Sequence, residues 1–157
     1  PPDRVKVVVH PQSLVHSLVR TRDGVLYAQI SKPDMRHPIF SALTWPEYRE
    51  SKLEEFSFDS ACSMQFEPPR YADFPLLGLA YRAAMLSGSY TIAYNASNEV
   101  AVAAFLAGKI SFTGLAEVTA RVLERDWATE PRSFEDVIAA DNHARESAHA
   151  IIEGFSR

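Results

Sequence analysis

Two histidines near the start of the chain, His10 and His16, have the side chains best suited to proton chemistry. Imidazole titrates close to neutral pH, so a histidine near a strand end can donate to a substrate or fix a neighbouring loop. The alternative is a structural histidine whose ring nitrogens bond to the protein itself. Spacing alone favours the structural role, more strongly for His10 than for His16.

Pro33 and Met35 follow a predicted strand, in the stretch Lys32-Pro33-Asp34-Met35-Arg36. Neither side chain can transfer a proton. A proline and a soft thioether at a strand end can only form an apolar wall against a flat ring or a closing loop. From the residues alone this wall is a hypothesis, and no catalytic residue is assigned.

Other catalytic chemistries lack the residues they need. No Gly-x-Gly-x-x-Gly or P-loop pattern occurs, so we expect no nucleotide site in this chain. The absence of Gly-x-Ser-x-Gly argues against a hydrolase built on the N-terminal histidines. His143 and His149 are six residues apart on a predicted helix, hence on different faces, and Glu54 and Glu55 stand in a predicted linker. We therefore expect no metal site either.

The single cysteine, Cys62, excludes an internal disulfide and a zinc site built on several thiolates. Free cysteine packs as a small hydrophobe, so we predict a half-buried strand residue at this position. A lone cysteine also suits a reducing cytoplasm.

The segment Asn95-Ala96-Ser97-Asn98-Glu99 is dense in polar groups at a predicted helix start. A helix N-terminus can hold an anion. The simpler interpretation, which we favour, is a capped helix whose polar first turn is occupied by local hydrogen bonds.

The composition is that of a globular protein, with 157 residues, 46% hydrophobic and 23% charged. A net charge of −4 argues against nucleic-acid binding. No stretch is long and apolar enough to span a membrane, and no signal peptide opens the chain. Because Pro1-Pro2-Asp3-Arg4 leads into a predicted strand without an initiator methionine, we expect a cut inside a longer protein.

Three predicted strands open the chain, at residues 5–9, 14–21 and 25–30. Asp23-Gly24 is a strong hairpin signal between the last two, since glycine tolerates the positive φ of the turn. Strict alternation would place His16 on one face of its strand together with Leu14, Leu18 and Arg20. A short helix of about two turns is predicted between Met35 and Trp45, where Pro38 fits a first turn.

A charged stretch from Glu47, with strand-like alternation around residues 56–58 and 62–66, separates this part from a helical part. Four helices are predicted there: from Asp73 as N-cap to Gly88, from Asn95 as N-cap to Gly108, from Thr113, and from Ser133 as N-cap through Phe155. The apolar run 100–107 makes the second the expected buried centre, and Phe134, Val137 and Ile138 are expected to face inward in the fourth. The sequence thus predicts an α+β fold: a small antiparallel or mixed sheet with a short helix, a linker, and a C-terminal four-helix bundle.

Several specific motifs occur in one order along nearly the whole chain. They are His10-Pro11-Gln12-Ser13-Leu14-Val15-His16-Ser17, Asp23-Gly24, Lys32-Pro33-Asp34-Met35-Arg36-His37-Pro38-Ile39, Trp45-Pro46, and the run from Asn95 to Leu106. In this combination they closely resemble the C-terminal part of the 1-deoxy-D-xylulose 5-phosphate reductoisomerase family. Ser97 makes a mild variant of the usual Asn-Ala-Ala-Asn pattern, which should be tolerated.

The resemblance implies an enzyme that rearranges and reduces deoxyxylulose phosphate to methylerythritol phosphate in non-mevalonate isoprenoid synthesis, with NADPH and Mg²⁺ or Mn²⁺. It implies a homodimer paired through the sheet, in the cytoplasm or a plastid-type organelle, with no nucleic-acid or membrane partner. Residues 1–46 would end the central catalytic and dimerisation domain, residues 47–70 would be a linker, and residues 71–157 the C-terminal helical bundle.

By the same resemblance, His16, Pro33 and Met35 line the substrate pocket, with Met35 beside the nicotinamide. The family's cofactor, metal and phosphate contacts lie upstream of the matching region, so the chain alone should bind no cofactor or metal and be inactive. The alternative is a non-catalytic dimerisation or binding module, in which an edge strand at residues 5–9 or 25–30 pairs across a two-fold axis.

Overall fold

A computed structural model describes residues 1–155. Within this range the chain forms two strands, five α-helices and one 3-10 turn, and the α+β class is confirmed. The elements are the 3-10 turn Pro2–Arg4, β1 Val15–Arg20, β2 Leu26–Ile30, α1 Arg36–Thr44, α2 Pro75–Leu86, α3 Tyr90–Leu106, α4 Phe112–Leu123 and α5 Phe134–Phe155. Among these described helices, none has the length and apolarity that a bilayer crossing requires.

The chain divides into two compact units. The hairpin unit comprises residues 7–69 and contains β1, β2 and α1. The helical unit comprises residues 1–6 and the chain from Arg70 onward, with α2 to α5.

Strands β1 and β2 form the predicted antiparallel hairpin, slightly shorter than the pattern suggested. Gly24 has φ +90°, a left-handed value that glycine adopts without a side-chain clash. The Asp23 carboxylate accepts hydrogen bonds from the Thr21 hydroxyl and from the backbone N–H of Val25. These bonds, the Thr21 bond first, lower the pKa of Asp23 because they favour its charged form.

The predicted alternation along the first hairpin strand is interrupted by a bulge at His16. Val15 pairs with Ile30 and Ser17 pairs with Gln29, so β1 has one residue more than β2 between these two pairs. His16 is the extra residue. As a result Val15 and Leu18, three positions apart, are the half-buried residues of this strand.

The predicted strand at residues 5–9 is wrong except at its last residue. Val9 and Glu67 exchange two backbone hydrogen bonds of 2.9 Å, forming an isolated bridge. Within the helical unit, the carbonyl of Val5 accepts from the Tyr81 hydroxyl at 2.9 Å. The β-branched run favours a strand, but a strand forms only where a second strand is available to pair with it.

Between α1 and α2 the chain is irregular, apart from the bridge residue Glu67. The strand-like pieces predicted around residues 56–58 and 62–66 do not form. Cys62 is exposed and lies outside any strand, so its predicted half-buried position is wrong. Alternation over a few residues cannot form a strand without a partner of matching length.

Helix α3 is the centre of the helical unit, as its apolar run predicted, and packs against α2, α4 and α5. Its buried residues recur every three or four positions, which is the period of one helix face. They are Ala93, Ala96, Ser97, Val100, Ala101 and Ala104. Because most of these side chains are small, the neighbouring helices can approach closely.

Two predicted helix starts are wrong. Helix α3 begins at Tyr90 after Ser89, so Asn95 lies inside the helix and caps nothing. Ser89 is fixed by tertiary contacts: its backbone N–H donates to the Trp127 carbonyl at 2.8 Å and its hydroxyl to the Thr129 carbonyl at 2.8 Å. Helix α2 begins at Pro75 after Phe74 rather than after Asp73.

The remaining helix ends agree better with the sequence. Gly88 and Gly108 follow α2 and α3 with φ +57° and +70°, as predicted. Ser133 caps α5 by accepting from the Asp136 N–H at 3.1 Å, and Ser111, two residues before the predicted start, caps α4. The inward orientation predicted for Phe134 and Ile138 is wrong, since both are exposed. The buried residues of α5 are Ala144, Ser147, Ala148 and Ile152.

Candidate functional site

The connection from β2 to α1 is a tight corner that contains both predicted wall residues. The backbone N–H of Asp34 donates to the carbonyl of Lys32 at 2.8 Å, which closes a three-residue turn centred on Pro33. The fixed φ of proline suits this turn. Met35 follows in helical conformation (φ −62°, ψ −16°) and precedes the first residue of α1. Both Pro33 and Met35 are exposed, and Met35 keeps 72% of its surface.

The imidazole of His16 reaches the start of this corner. Its Nε2 lies 3.2 Å from the carbonyl oxygen of Ser31. A carbonyl only accepts, so Nε2 carries a proton and donates to it. The bulge directs the side chain of His16 toward the end of β2. The structure therefore brings His16 to the segment that carries Pro33 and Met35.

An ion pair closes the other side of the corner. The Asp34 carboxylate accepts from Arg36 Nε at 2.9 Å and Nη2 at 2.6 Å, and also from the Arg36 backbone N–H at 2.9 Å. The last bond satisfies one of the free N–H groups at the start of α1. The Arg36 side-chain and backbone bonds lower the pKa of Asp34 to about 2. In return, the Asp34 carboxylate raises the pKa of Arg36.

The other N-terminal histidine, His10, is held in a separate polar cluster. Its Nδ1 donates to the Gln65 carbonyl at 2.7 Å, and its ring stacks on Phe66 with a centroid distance of 4.7 Å. The Gln12 side chain extends the adjoining bridge by accepting from the Gln65 backbone N–H at 3.1 Å. These contacts give His10 the structural role that its spacing favoured, tying the segment before β1 to the segment before Pro68.

Three features of the hairpin unit escaped the sequence reading. They are the Asp34–Arg36 ion pair, the stacking of His10 on Phe66, and His37, whose buried Nε2 has no hydrogen-bond partner among the described residues. An aspartate just before a helix start is a capping signal, which indicates the bond from Asp34 to the Arg36 backbone N–H but not the ion pair with its guanidinium. The other two depend on residues brought together by the fold, for which the sequence carries no local signal.

The polar segment around Asn95 lies in the middle of α3, which removes the helix N-terminus that anion binding would need. Glu99 accepts from Asn95 Nδ2 at 3.1 Å and from Arg145 Nη2 at 2.6 Å, and Arg145 also binds Asp141. Hydrogen bonding to Arg145, then to Asn95, lowers the pKa of Glu99. The segment joins α3 to α5 through side-chain hydrogen bonds.

The variant serine of this segment, Ser97, is fully buried in α3. Its hydroxyl donates to the Ala93 carbonyl at 2.6 Å, which satisfies the polar group inside the helix. This bond explains how serine is accommodated at a position that packs like alanine.

The residues present do not fit a divalent metal ion. Among residues 1–155, no three histidine, cysteine, aspartate or glutamate side chains come together as metal ligands would. The carboxylates of the corner and of α3 are instead engaged by Arg36 and Arg145.

Comparison with known families gives a match over residues 30–147 to the DXP reductoisomerase C-terminal domain. The matched region includes the corner and nearly all of the four-helix bundle. This chain belongs to the DXP reductoisomerase C-terminal domain family.

Curated relatives extend the similarity to nearly the whole chain. It is 47% identical over 152 residues to the 1-deoxy-D-xylulose 5-phosphate reductoisomerase of Treponema denticola, covering 97% of this chain and 40% of that protein. Against the Mycobacterium tuberculosis protein of the same name it is 44% identical over 158 residues, covering 99% of this chain and 38% of the relative. The chain thus spans about 40% of the length of its curated relatives.

Solved structures of the family share the fold. The reductoisomerase from Zymomonas mobilis in complex with NADPH superposes with a TM-score of 0.88 at 43% identity, over 94% of this chain and 39% of that one. A reductoisomerase in complex with NADPH, fosmidomycin and magnesium gives a TM-score of 0.81 at 37% identity, over 93% and 38% of the two chains.

Proposed function

We propose that this chain is the C-terminal part of an NADPH- and divalent-metal-dependent reductoisomerase, which converts 1-deoxy-D-xylulose 5-phosphate to 2-C-methyl-D-erythritol 4-phosphate in non-mevalonate isoprenoid synthesis. The observation that carries the proposal is the family match over residues 30–147, which contains the corner with Pro33 and Met35. The relatives' names and the solved complexes with NADPH and magnesium support the activity and the two cofactors.

In this proposal, residues 1–46 end the central catalytic domain, residues 47–70 are the linker, and residues 71–157 form the C-terminal bundle. His16, Pro33 and Met35 form one wall of the substrate pocket, with Met35 beside the nicotinamide. Two copies pair through the central sheet, in the cytoplasm or a plastid-type organelle. The exposed faces of β1 and β2 support a partner of this kind, because a two-stranded sheet alone is marginal.

When bound, NADPH supplies a hydride and the metal polarises substrate oxygens. This chain contributes the wall that orients the substrate and excludes water on one side. The metal ligands belong to the remaining part of the enzyme, since the residues described here do not fit a metal. Mixed with NADPH, Mn²⁺ and substrate, the chain by itself should give no NADPH oxidation, and measurable turnover would contradict the proposal.

The wall is tested by Met35→Ala in the complete reductoisomerase that contains this chain. Removal of an apolar contact from a pocket lowers kcat/KM by about tenfold. Met85→Ala is the matched control, because Met85 is similarly exposed but lies at the end of α2. Its kcat/KM should stay within about twofold of the unchanged enzyme. If both variants change kcat/KM by the same factor, Met35 does not line the pocket.

His16 is proposed to position the corner rather than to transfer a proton, because its Nε2–H is engaged by the Ser31 carbonyl. Glutamine can keep such a donor, whereas alanine cannot. We expect His16→Gln to retain several times the activity of His16→Ala in the complete enzyme. An equal loss in both variants, together with loss of one limb of the pH–rate profile, would indicate proton transfer instead.

The alternative is a non-catalytic dimerisation module, and the only observation in its favour is that the faces of the hairpin are exposed. Light scattering of the isolated chain tests the interface. A dimer at micromolar concentration supports pairing through the sheet, whereas a strict monomer would weaken the proposed interface. Turnover by the complete enzyme distinguishes a catalytic part from a purely structural module.

A further inference from the structure

The corner that carries Pro33 and Met35 is held in place almost entirely by hydrogen bonds. Both side chains are exposed, so packing within the hairpin unit does not fix them. Between the two wall residues lies Asp34, whose side chain is 29% exposed. Its carboxylate receives the guanidinium of Arg36 and the backbone N–H at the start of α1. The position of this carboxylate is therefore one of the determinants of the corner, beside the backbone bond from the Asp34 N–H to the Lys32 carbonyl.

The Arg36 guanidinium binds the Asp34 carboxylate through two of its nitrogens. Nε lies 2.9 Å from Oδ2 and 3.1 Å from Oδ1, while Nη2 lies 2.6 Å from Oδ2. A planar guanidinium bound at two of its nitrogens restricts rotation of the aspartate far more than a single point charge does. The Arg36 side chain is otherwise 74% exposed, so it contributes little to packing.

We propose that Arg36 and Asp34 are positioning residues of the reductoisomerase reaction, which hold Met35 at the orientation required for the pocket wall. This inference rests on the proposed function, because it concerns the same wall. Arg36 acts on the reaction through Asp34 and Met35 rather than by touching the substrate. A shift of about 1 Å in a residue that lines a reacting site can lower the rate by about a hundredfold, so an exposed ion pair of small structural value can matter for turnover.

The test is a double-mutant cycle in the complete reductoisomerase that contains this chain, with Arg36→Gln and Met35→Ala made singly and together. We expect Arg36→Gln to lower kcat by about tenfold when Met35 is present. In the Met35→Ala background the same change should cost less than about twofold, because the residue that it positions is gone. Arg36→Lys, which keeps the charge but cannot form the two-nitrogen fork, should recover only part of the kcat that Arg36→Gln loses.

Arg49→Gln is the matched control. Arg49 also pairs with an acid two residues earlier, Glu47, at 2.8 Å in the same unit, but outside the corner. Its kcat should stay within about twofold of the unchanged enzyme. The thermal unfolding midpoint of each variant shows that the fold is retained. If Arg36→Gln does not fold, Asp34→Asn, which keeps the size of the side chain but loses its charge, replaces it in the same cycle.

Each outcome decides between distinct conclusions. If the complete enzyme turns over and Arg36→Gln behaves like Arg49→Gln, the positioning role is overturned and the proposed function stands. A tenfold loss that is equal with and without Met35 also overturns the inference, since Arg36 would then act by another route. If the complete enzyme itself shows no reductoisomerase turnover, the proposed function fails and the inference with it.

Discussion

The helical unit buries a core of apolar side chains, whereas the hairpin unit buries no side chain fully and exposes most of its large apolar ones. All fourteen residues of the hydrophobic core cluster belong to α3, α4, α5 and the segments that join them. Residues 7–69, every one of which the structure describes, include no buried residue. Large apolar side chains such as Trp45, Leu43 and Tyr27 are more than half exposed there.

This difference teaches where each unit obtains its stability. Four helices can enclose a core of small and β-branched residues without help. A two-stranded hairpin with one short helix has too few layers to enclose anything, and exposed apolar patches of this kind mark surfaces that another element covers. The helical unit has a core of its own, and the hairpin unit, which has none, carries the proposed pocket wall.

The largest expected contrast is in amide hydrogen exchange of the isolated chain. Amides of α3 should exchange at least about a thousandfold more slowly than those of β1 and β2, because buried helices open only with global unfolding whereas an uncovered hairpin opens locally. Exchange monitored by NMR measures both groups in one sample. Similar protection in α3 and the hairpin would break the comparison.

The two tryptophans test the contrast with one type of side chain. Trp127 is 4% exposed and donates from Nε1 to the Val122 carbonyl at 2.8 Å, while Trp45 is 72% exposed. Trp127→Ala should lower the free energy of unfolding by about 4 kcal/mol. Trp45→Ala should change it by less than about 0.5 kcal/mol. Urea unfolding followed by circular dichroism measures both, and comparable losses would contradict the assignment of the core.

Two glycines with positive φ give a smaller contrast. A Cβ at Gly88 would lie 2.7 Å from the carbonyl oxygens of Trp127 and Ala128, whereas a Cβ at Gly24 would meet nothing within 4 Å. Gly88→Ala combines a backbone clash with a left-handed conformation and should cost about 3 kcal/mol. Gly24→Ala carries only the conformational term, about 1 kcal/mol. A chemical denaturation series on both variants checks the order, which fails if Gly24→Ala costs as much as Gly88→Ala.

The smallest effect concerns two arginine-bound carboxylates, Asp34 in the hairpin unit and Glu99 in the helical unit. Arg36 lowers the pKa of Asp34 to about 2. Because the folded value lies below the ordinary value of about 3.9, the ion pair favours the folded corner above pH 4, and this contribution is lost as the pH falls toward 2.

Replacing Arg36 by glutamine should raise the pKa of Asp34 toward its ordinary range. The pKa of Glu99, which Arg145 lowers, should not change in this variant. A carboxyl-carbon NMR titration of the chain measures both groups. If Arg36→Gln leaves the pKa of Asp34 unchanged, the ion pair does not form in solution.

Much of the fold was predictable because its signals are local. The Asp23-Gly24 turn, the glycines after α2 and α3, and the Ser133 cap depend on backbone conformations that few residues favour. The apolar run 100–107 identified α3 as the central helix, although only one face of this helix is buried. Pro33 and Met35 were recognised by the motif around them, and their place in the pocket is still a proposal.

The errors arose where distant residues decide the outcome. Residues 5–9 have strand propensity, but within the described chain only Val9 finds a partner, Glu67. Asn95 has the side chain of a cap, but α3 starts earlier because Ser89 is bonded to Trp127 and Thr129. The bulge that directs His16 to the Ser31 carbonyl depends on the register with β2.

The sequence by itself determined the α+β class, the turn of the hairpin, the central helix and, through its motifs, the family. Each of these depends on the conformational preference of a short segment or on a period that one element carries. Only the tertiary structure decided that Arg36 holds Asp34 between the wall residues, that His10 stacks on Phe66, and that the apolar core lies wholly in the helical unit. The reason is physical: hydrogen bonds, ring stacking and burial depend on distances between side chains, and folding sets those distances.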